Sequence, residues 1–322
     1  MAKSLIGIDV NLNEMSMVSK GKIFVEQLPD NLVDSEGIVS EISFANFVKE
    51  MKKSCGISGS ECAFVLPQNA TYFRTYDSPV MTDEQVKLNL PFEFKNFVGN
   101  DTTKFCYDYY IGGVENDDAG KPVTMKVVAA AANKEISEQF GDNFVRAGLK
   151  PKSALPHEVC LINLMKNTAD EYSEYCLVGV GYEQTSIYMF SGASLEATKV
   201  VEIGTRDIDK KLAETYDIDD HLAASYRESN YDNCLVNEAL SDIYDKISLE
   251  VMKTINFYKY EHNDSNVDTV YFFDLSASNK RLNDDICEHI NFAKGDINDI
   301  LPAEYQDVEN ADRCLYAIGL VL

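Results

Sequence analysis

The chain has 322 residues, enough for two hydrophobic cores, with 45% apolar and 25% charged residues, the proportions of a globular protein. Its net charge is −24, and so acidic a surface repels nucleic-acid phosphates and anionic lipids, which sets both aside as expected partners. No run approaches the roughly 20 apolar residues of a membrane span, so direct membrane insertion is not expected.

In chain order, residues 4–10, 14–20 and 22–28 read as three strands, with a turn at Gly21. The first strand is apolar and carries Asp9 near its end. Residues 40–54 read as a helix with Ile42, Phe47, Val48 and Met51 on one face and Gly56 as its stop. Residues 61–67 and 70–79 alternate as strands, and Thr82 with Gln85 makes a capping box that opens a helix in which Pro91 forces a kink. Strands at 103–115 and 123–132 flank a hairpin loop, and helices follow at 134–147 and 157–167. Strands at 175–182, 185–191 and 196–203 then repeat the opening pattern. The position that matches Asp9 is Gly179. Helices at 205–215, 219–229 and 235–262, a strand at 267–274 and helices at 279–290 and 310–321 complete the chain. Two strand–turn–strand units, one per half, predict two similar α/β lobes.

The eight cysteines are scattered without a C-x-x-C pair, and the apolar stretch after Lys3 ends at Asp9, unlike a signal peptide. A reducing cytoplasm is therefore expected. The four histidines, His157, His221, His262 and His289, show no metal-ligand spacing, and no metal site is expected. There is no P-loop, G-x-S-x-G or G-x-G-x-x-G motif. Asp9 is the one candidate catalytic acid, and a plain turn acid at a strand end is the competing reading. The run Asp217-Ile218-Asp219-Asp220 reads as a helix N-cap.

Several segments together resemble the PilM family, the actin-like cytoplasmic protein of type IV pilus assembly, itself similar to the cell-division protein FtsA. They are Gly7-Ile8-Asp9-Val10, Ala63-Phe64-Val65-Leu66-Pro67, Tyr72-Phe73-Arg74-Thr75, Leu90-Pro91-Phe92-Glu93 with Phe97-Val98, and Val127 to Ala132. Ala147-Gly148-Leu149-Lys150-Pro151, Glu202-Ile203-Gly204-Thr205 and Ala317-Ile318-Gly319-Leu320 continue the order. The resemblance implies a two-lobed, actin-like (ribonuclease H-like) α/β fold with a 1C subdomain of the FtsA/PilM type. Lobe 1 would span 1–59 and 133–172, the inserted 1C subdomain 60–132, and lobe 2 173–322, with a smaller 2B part near 212–265.

In that fold the two hairpin turns cradle ATP phosphates through backbone N–H groups, and the strand-end acids position Mg²⁺ or water. The positions implied here are Gly7, Asp9, Asn11, Asn13, Gly179, Gly181, Gln184, Thr185, Gly204, Arg227, Ser276 and Ser278. The chain departs from the pattern at four of its elements. Asn11-Leu12-Asn13 stands for a Gly-Ser-Ser turn, and Gly179 stands for the second acid. Ala223-Ala224-Ser225-Tyr226-Arg227 stands for an A-E-x-L-K stretch, and Asp274-Leu275-Ser276-Ala277-Ser278 for a Gly-Gly pair. A lost charged hydrogen bond costs about 1.5–3 kcal/mol, so the four changes together would cost roughly 4–8 kcal/mol and take a micromolar site to millimolar or weaker.

The resemblance thus implies a scaffold without ATPase activity, cytoplasmic and held at the inner membrane by partners. It would bind the N-terminal tail of a PilN-like membrane protein in a groove between the first lobe and 1C, next to other pilus inner-membrane assembly components. Phe64, Leu66, Tyr72 and Phe73 on the 1C strands and Phe92 on the next helix are the expected lining, with membership of the 1C core as the competing reading for each. The alternative from another class is an ATP-binding switch, with Mg²⁺, that uses Asn11, Asn13 and Thr185 in a non-standard cleft. An FtsA-like filament-former would need a C-terminal amphipathic helix after Leu322, and a small-molecule kinase would need substrate acids that the sequence does not identify.

Overall fold

The computed structural model describes residues 5–99, 101–117, 119–276 and 279–322. Its contacts divide into two compact units, one ending at Leu161 and taking in Tyr316–Leu322, the other running from Ile162 to Leu315.

The first unit opens with a meander of β1 (Ile6–Val10), β2 (Glu14–Ser19) and β3 (Lys22–Gln27). A small hairpin, β4 (Val33–Asp34) with β5 (Gly37–Ile38), leads into α1 (Glu41–Ser54) and β6 (Glu61–Val65). An inserted layer follows, with β7 (Thr71–Pro79), α2 (Asp83–Glu93), α3 (Lys95–Val98), β8 (Phe105–Asn116) and β9 (Pro122–Asn133). Then α4 (Lys134–Arg146), β10 (Lys150–Leu155) and α5 (His157–Thr168) return the chain to the first sheet. That sheet has the order β10-β6-β1-β2-β3, with β6 parallel to both β1 and β10. Ile6, Ile8, Phe44, Val48, Phe140 and Phe144 fill the core on one of its faces. The rings of Phe140 and Phe144 each lie 5.7 Å from Phe44. Those contacts set the inward face of α1 at Phe44, Ala45, Val48 and Met51, and Ile42, expected on that face, stays 76% exposed.

In the inserted layer the sheet order is β7-β9-β8, all antiparallel. Val86 and Leu90 of α2, with Phe94, pack on Met125, Val127, Ala129 and Ala131 of β9. Thr82 and Gln85 close the capping box in both directions, and Pro91 lies in the last turn of α2, just before the helix gives way to α3.

The second unit repeats the first. β11 (Glu174–Val180), β12 (Thr185–Ser191) and β13 (Ser194–Val201) form the meander. α6 (Thr205–Tyr216), α7 (Asp220–Ser229) and α8 (Ser241–Glu261) precede β14 (Thr269–Phe273), and α9 (Lys280–Ile290) and β15 (Ala293–Lys294) follow it, before α10 (Leu315–Gly319) takes the chain back to the first unit. The order β13-β12-β11-β14-β15, with β14 parallel to β11 and to β15, mirrors that of the first sheet. The doubled hairpin of the sequence is therefore a doubled sheet.

Three elements differ from expectation, each for a physical reason. β10 reads as polar and contains Pro151. It is an edge strand with a register shift between Pro151 and Ser153, where a missing N–H is tolerated. α8 begins at Ser241 rather than 235, because Asn230, Asp232 and Asn233 adopt left-handed φ and break the chain into 3₁₀ turns. The last helix is short, α10, preceded by a 3₁₀ turn after Asn310 at φ 64. The two compact units meet in sequence at Leu161/Ile162, and the end of the chain belongs to the first unit. Glycine contacts explain that return: a Cβ at Gly7 would strike the Ala317 carbonyl, and one at Gly319 would strike the Cys160 carbonyl.

Candidate functional site

Within the first unit, β1 delivers Asp9 opposite Ser16 on β2, just ahead of the Asn11–Asn13 turn. The Asn11 side-chain oxygen accepts the N–H groups of Asn13 and Glu14, each at 2.8 Å, and the Asn11 N–H donates to the Glu14 carbonyl at 3.1 Å. The N–H groups of Asn11, Asn13 and Glu14 are thus engaged inside the turn. The Asn13 Nδ2 group is buried without a hydrogen-bond partner among the described residues. The missing side chain of Gly7 gives room to the Ala317 backbone.

The second turn lies in the other unit and is committed differently. Its Gly181 N–H donates to Gln184 O, and Gly181 O accepts from Thr205, both at 2.9 Å. The Thr185 hydroxyl is buried and donates to the Ile203 carbonyl at 2.7 Å. Gly204 packs its backbone on Tyr182 and Gln184, where a Cβ would collide, and its N–H donates to Asp207 at 3.0 Å. Gly179 pairs in register with Phe273, whose Cζ lies 2.5 Å from where a Cβ at 179 would sit, so the ring occupies the space that a side chain at 179 would need. Asp274, at φ 70, brings its carboxylate 3.0 Å from a Cβ built at Gly181. Burial raises that carboxyl to about 6, while the Leu275 N–H and Arg313 pull it back. Arg227 is buried in a two-point pair with Asp209, at 2.6 and 3.3 Å. Desolvation raises the Asp209 carboxyl against the pull of Arg227. A pocket of about 320 Å³ next to these residues is lined by Thr205, Glu228 and Asp312 among others, and the Thr205 hydroxyl there is buried and unpartnered among the described residues. Ser276 ends the 3₁₀ turn after β14, and Ser278 lies outside the described residues. In the first turn the Asn11, Asn13 and Glu14 N–H groups, and in the second the Gly181 N–H, are engaged within the turn itself, so none of these four is available to a phosphate without rearrangement. Among the described residues, no group of three or more His, Cys, Asp or Glu side chains is placed to hold a metal.

The other candidate is a groove of about 480 Å³ within the first unit. One wall is the face of the inserted sheet turned away from α2, with Phe73 of β7, Val128, Ala130 and Ala132 of β9, and Cys106, Asp108 and Tyr110 of β8. The opposite wall is Leu66 after β6, Ala154, Leu155 and Pro156 at the end of β10, and Val159 of α5. The lining is apolar except for a few groups. β8 is an edge of the inserted sheet and β10 an edge of the main sheet, so two strand edges border the groove.

Of the five residues expected in the groove, Leu66 and Phe73 line it. Phe64 does not: it lies in the main core, 5.1 Å from Phe144. Tyr72 faces α2 instead, since strand alternation turns it away from Phe73, and its ring lies 5.5 Å from Phe97. Phe92 is 73% exposed on the outward side of α2. Asp108, Ala130 and Val159 were not singled out by the sequence. The signal for β9 was its unbroken apolar run from Val127 to Ala132, the mark of a strand covered on both faces.

Two duplicated sheets of this order, the first carrying an inserted three-stranded layer, define an actin-like protein. Solved structures of that class share the fold. MreB 5 of Spiroplasma citri, bound to AMPPNP, is 7% identical, with 99% of this chain and 95% of that chain covered and a TM-score of 0.53. The ethanolamine utilization protein EutJ from Carboxydothermus hydrogenoformans is 14% identical, with 100% and 90% covered and a TM-score of 0.62. A PilM–PilN type IV pilus biogenesis complex is 14% identical, with 98% and 97% covered and a TM-score of 0.82. The profile of the family described as type IV pilus assembly protein PilM matches residues 9–315, and the chain belongs to that family. No curated protein sequence matches it. Among the described residues, no helix is long and apolar enough to cross a membrane.

Proposed function

We propose that this chain is a scaffold on the cytoplasmic face of the inner membrane in a type IV pilus machine, which holds the N-terminal tail of a PilN-like membrane protein in the groove and does not turn over ATP. The supporting observation is the groove itself, an apolar trough bordered by the edges of β8 and β10. An extended tail brings unpaired backbone groups and apolar side chains, and edges and pockets of this kind receive both. Membership of the PilM family and the likeness to PilM in a complex with PilN point the same way. Other pilus components would be reached through that partner.

The test is calorimetry with a synthetic peptide of the cytoplasmic tail of the PilN-like protein from the same cell. Ala130→Trp, which fills the groove, should abolish binding, and Phe92→Ser on the outer side of α2 should leave it unchanged. Binding that survives Ala130→Trp in a folded variant would sink the reading.

The competing reading, an ATP-bound switch, has in its favour the Thr205 hydroxyl, buried and unpartnered among the described residues beside the pocket of the second unit. Micromolar Mg²⁺-ATP binding that is lost in Asp9→Ala would establish it.

A further inference from the structure

We infer that the groove selects a tail with one cationic side chain, an arginine or lysine whose stem crosses Ala130 between the ring of Phe73 and the carboxylate of Asp108. This rests on the groove reading above. Strand register lays three residues in one row across the inserted sheet: Asp108 pairs with Ala130, and Ala130 pairs with Phe73. Adjacent strands lie about 4.8 Å apart, so the acid and the ring stand about 10 Å from each other with only a methyl group between them. That is the span of a long side chain with an apolar stem and a charged head. On either side the row is flanked by Val128 and Ala132, which take apolar neighbours in the tail.

Charge supports the same occupant. Asp108 is the one charged residue in the lining of the groove. It is exposed, accepts the Tyr109 N–H at 2.8 Å and forms no salt bridge among the described residues. An anionic side chain placed there would meet both Asp108 and the field of a chain with net charge −24, whereas a cation is drawn in by both. Phe73 adds an apolar ring face against which the stem of that side chain can pack.

The experiment measures fluorescence anisotropy of the PilN-like tail peptide, of versions with its Arg or Lys changed to Gln or Glu, and of an N-terminally acetylated version. These are titrated against the wild-type protein, Asp108→Asn, Asp108→Lys and Ala130→Trp, each checked by thermal melting. The expected result is a loss of roughly tenfold for the Gln peptide on the wild type, near-equality of the two peptides on Asp108→Asn, and a preference for the Glu peptide on Asp108→Lys. A tail without Arg or Lys that still needs the groove would overturn the inference and keep the groove. Equal losses on the wild type and Asp108→Asn, or an effect of acetylation in place of the side chain, would do the same. Binding untouched by Ala130→Trp would overturn the groove reading and this inference with it.

Discussion

The ring of Phe273 fills the space beside Gly179: the two residues are register partners on β14 and β11, and a Cβ at 179 would meet three ring carbons at 2.5–2.8 Å. The acid that the resemblance implies at this position would find its volume already taken. Gly179→Asp should lower stability by about 1–3 kcal/mol from overpacking, with a further cost for a buried carboxylate. Urea unfolding measures it. Phe273→Ala alone should cost about 3–5 kcal/mol, and the double variant should be more stable than the sum of the two predicts, because the second change makes room for the first. Strict additivity would show that ring and aspartate do not compete for the space. Mg²⁺-ATP should give no heat with any of the three.

Gly7 tests two readings of one residue. Its place before Asp9 on the first hairpin suggests approach to phosphates, yet its missing side chain makes room for Ala317. Gly7→Ala should destabilise by about 1–3 kcal/mol, and Gly319→Ala by a similar amount where the C-terminal segment crosses Cys160. Thermal melting reads both. A neutral Gly7→Ala would remove the packing argument.

Arg227 and Asp209 form a buried pair, both under 10% exposed. Removing one partner leaves an uncompensated charge, so Asp209→Ala should cost about 3–5 kcal/mol in urea unfolding. Replacing both by apolar residues of similar size, Asp209→Leu with Arg227→Met, should cost less than the single change. If the single variant lost under about 1 kcal/mol, the guanidinium would have found water or another acid.

The architecture was largely legible in the sequence because its signals are periodic. The meanders at the two starts, the Thr82–Gln85 box and the helix ahead of Gly148 all follow from local patterns, and the doubled hairpin announced the doubled sheet. β10 was not legible, because an edge strand interrupted by a proline carries neither alternation nor an apolar run. At the site, residue types were readable but directions were not. Tyr72 and Phe73 are neighbours of similar chemistry, and only the position of α2 over one face decides that the second lines the groove. Asp108 looked like any surface acid until register placed it in line with Ala130 and Phe73. The use of the turn donors by Asn11 was likewise hidden, since an asparagine in a turn reads the same whether it caps the turn or faces a ligand.

Glu158 gives a prediction in pH. It sits in the first turn of α5, 8% exposed, and burial pushes its carboxyl up to about 7, against a smaller opposing contribution from a backbone N–H. An unfolded glutamate titrates near ~4.3. The folded state therefore binds more protons than the unfolded state between those two values, and stability falls as pH rises through that window and levels off above about 7. Glu158→Gln removes this slope. The stability of the variant relative to the wild type should grow from pH 4.5 to pH 8 by at most about 3 kcal/mol, since a tenfold change in proton affinity is worth about 1.4 kcal/mol. Urea midpoints of both proteins at the two pH values measure it, and contributions from other groups such as Asp274 cancel in the difference. Parallel pH profiles for the two proteins would mean that Glu158 ionises as an ordinary surface carboxylate, with water reaching the start of α5.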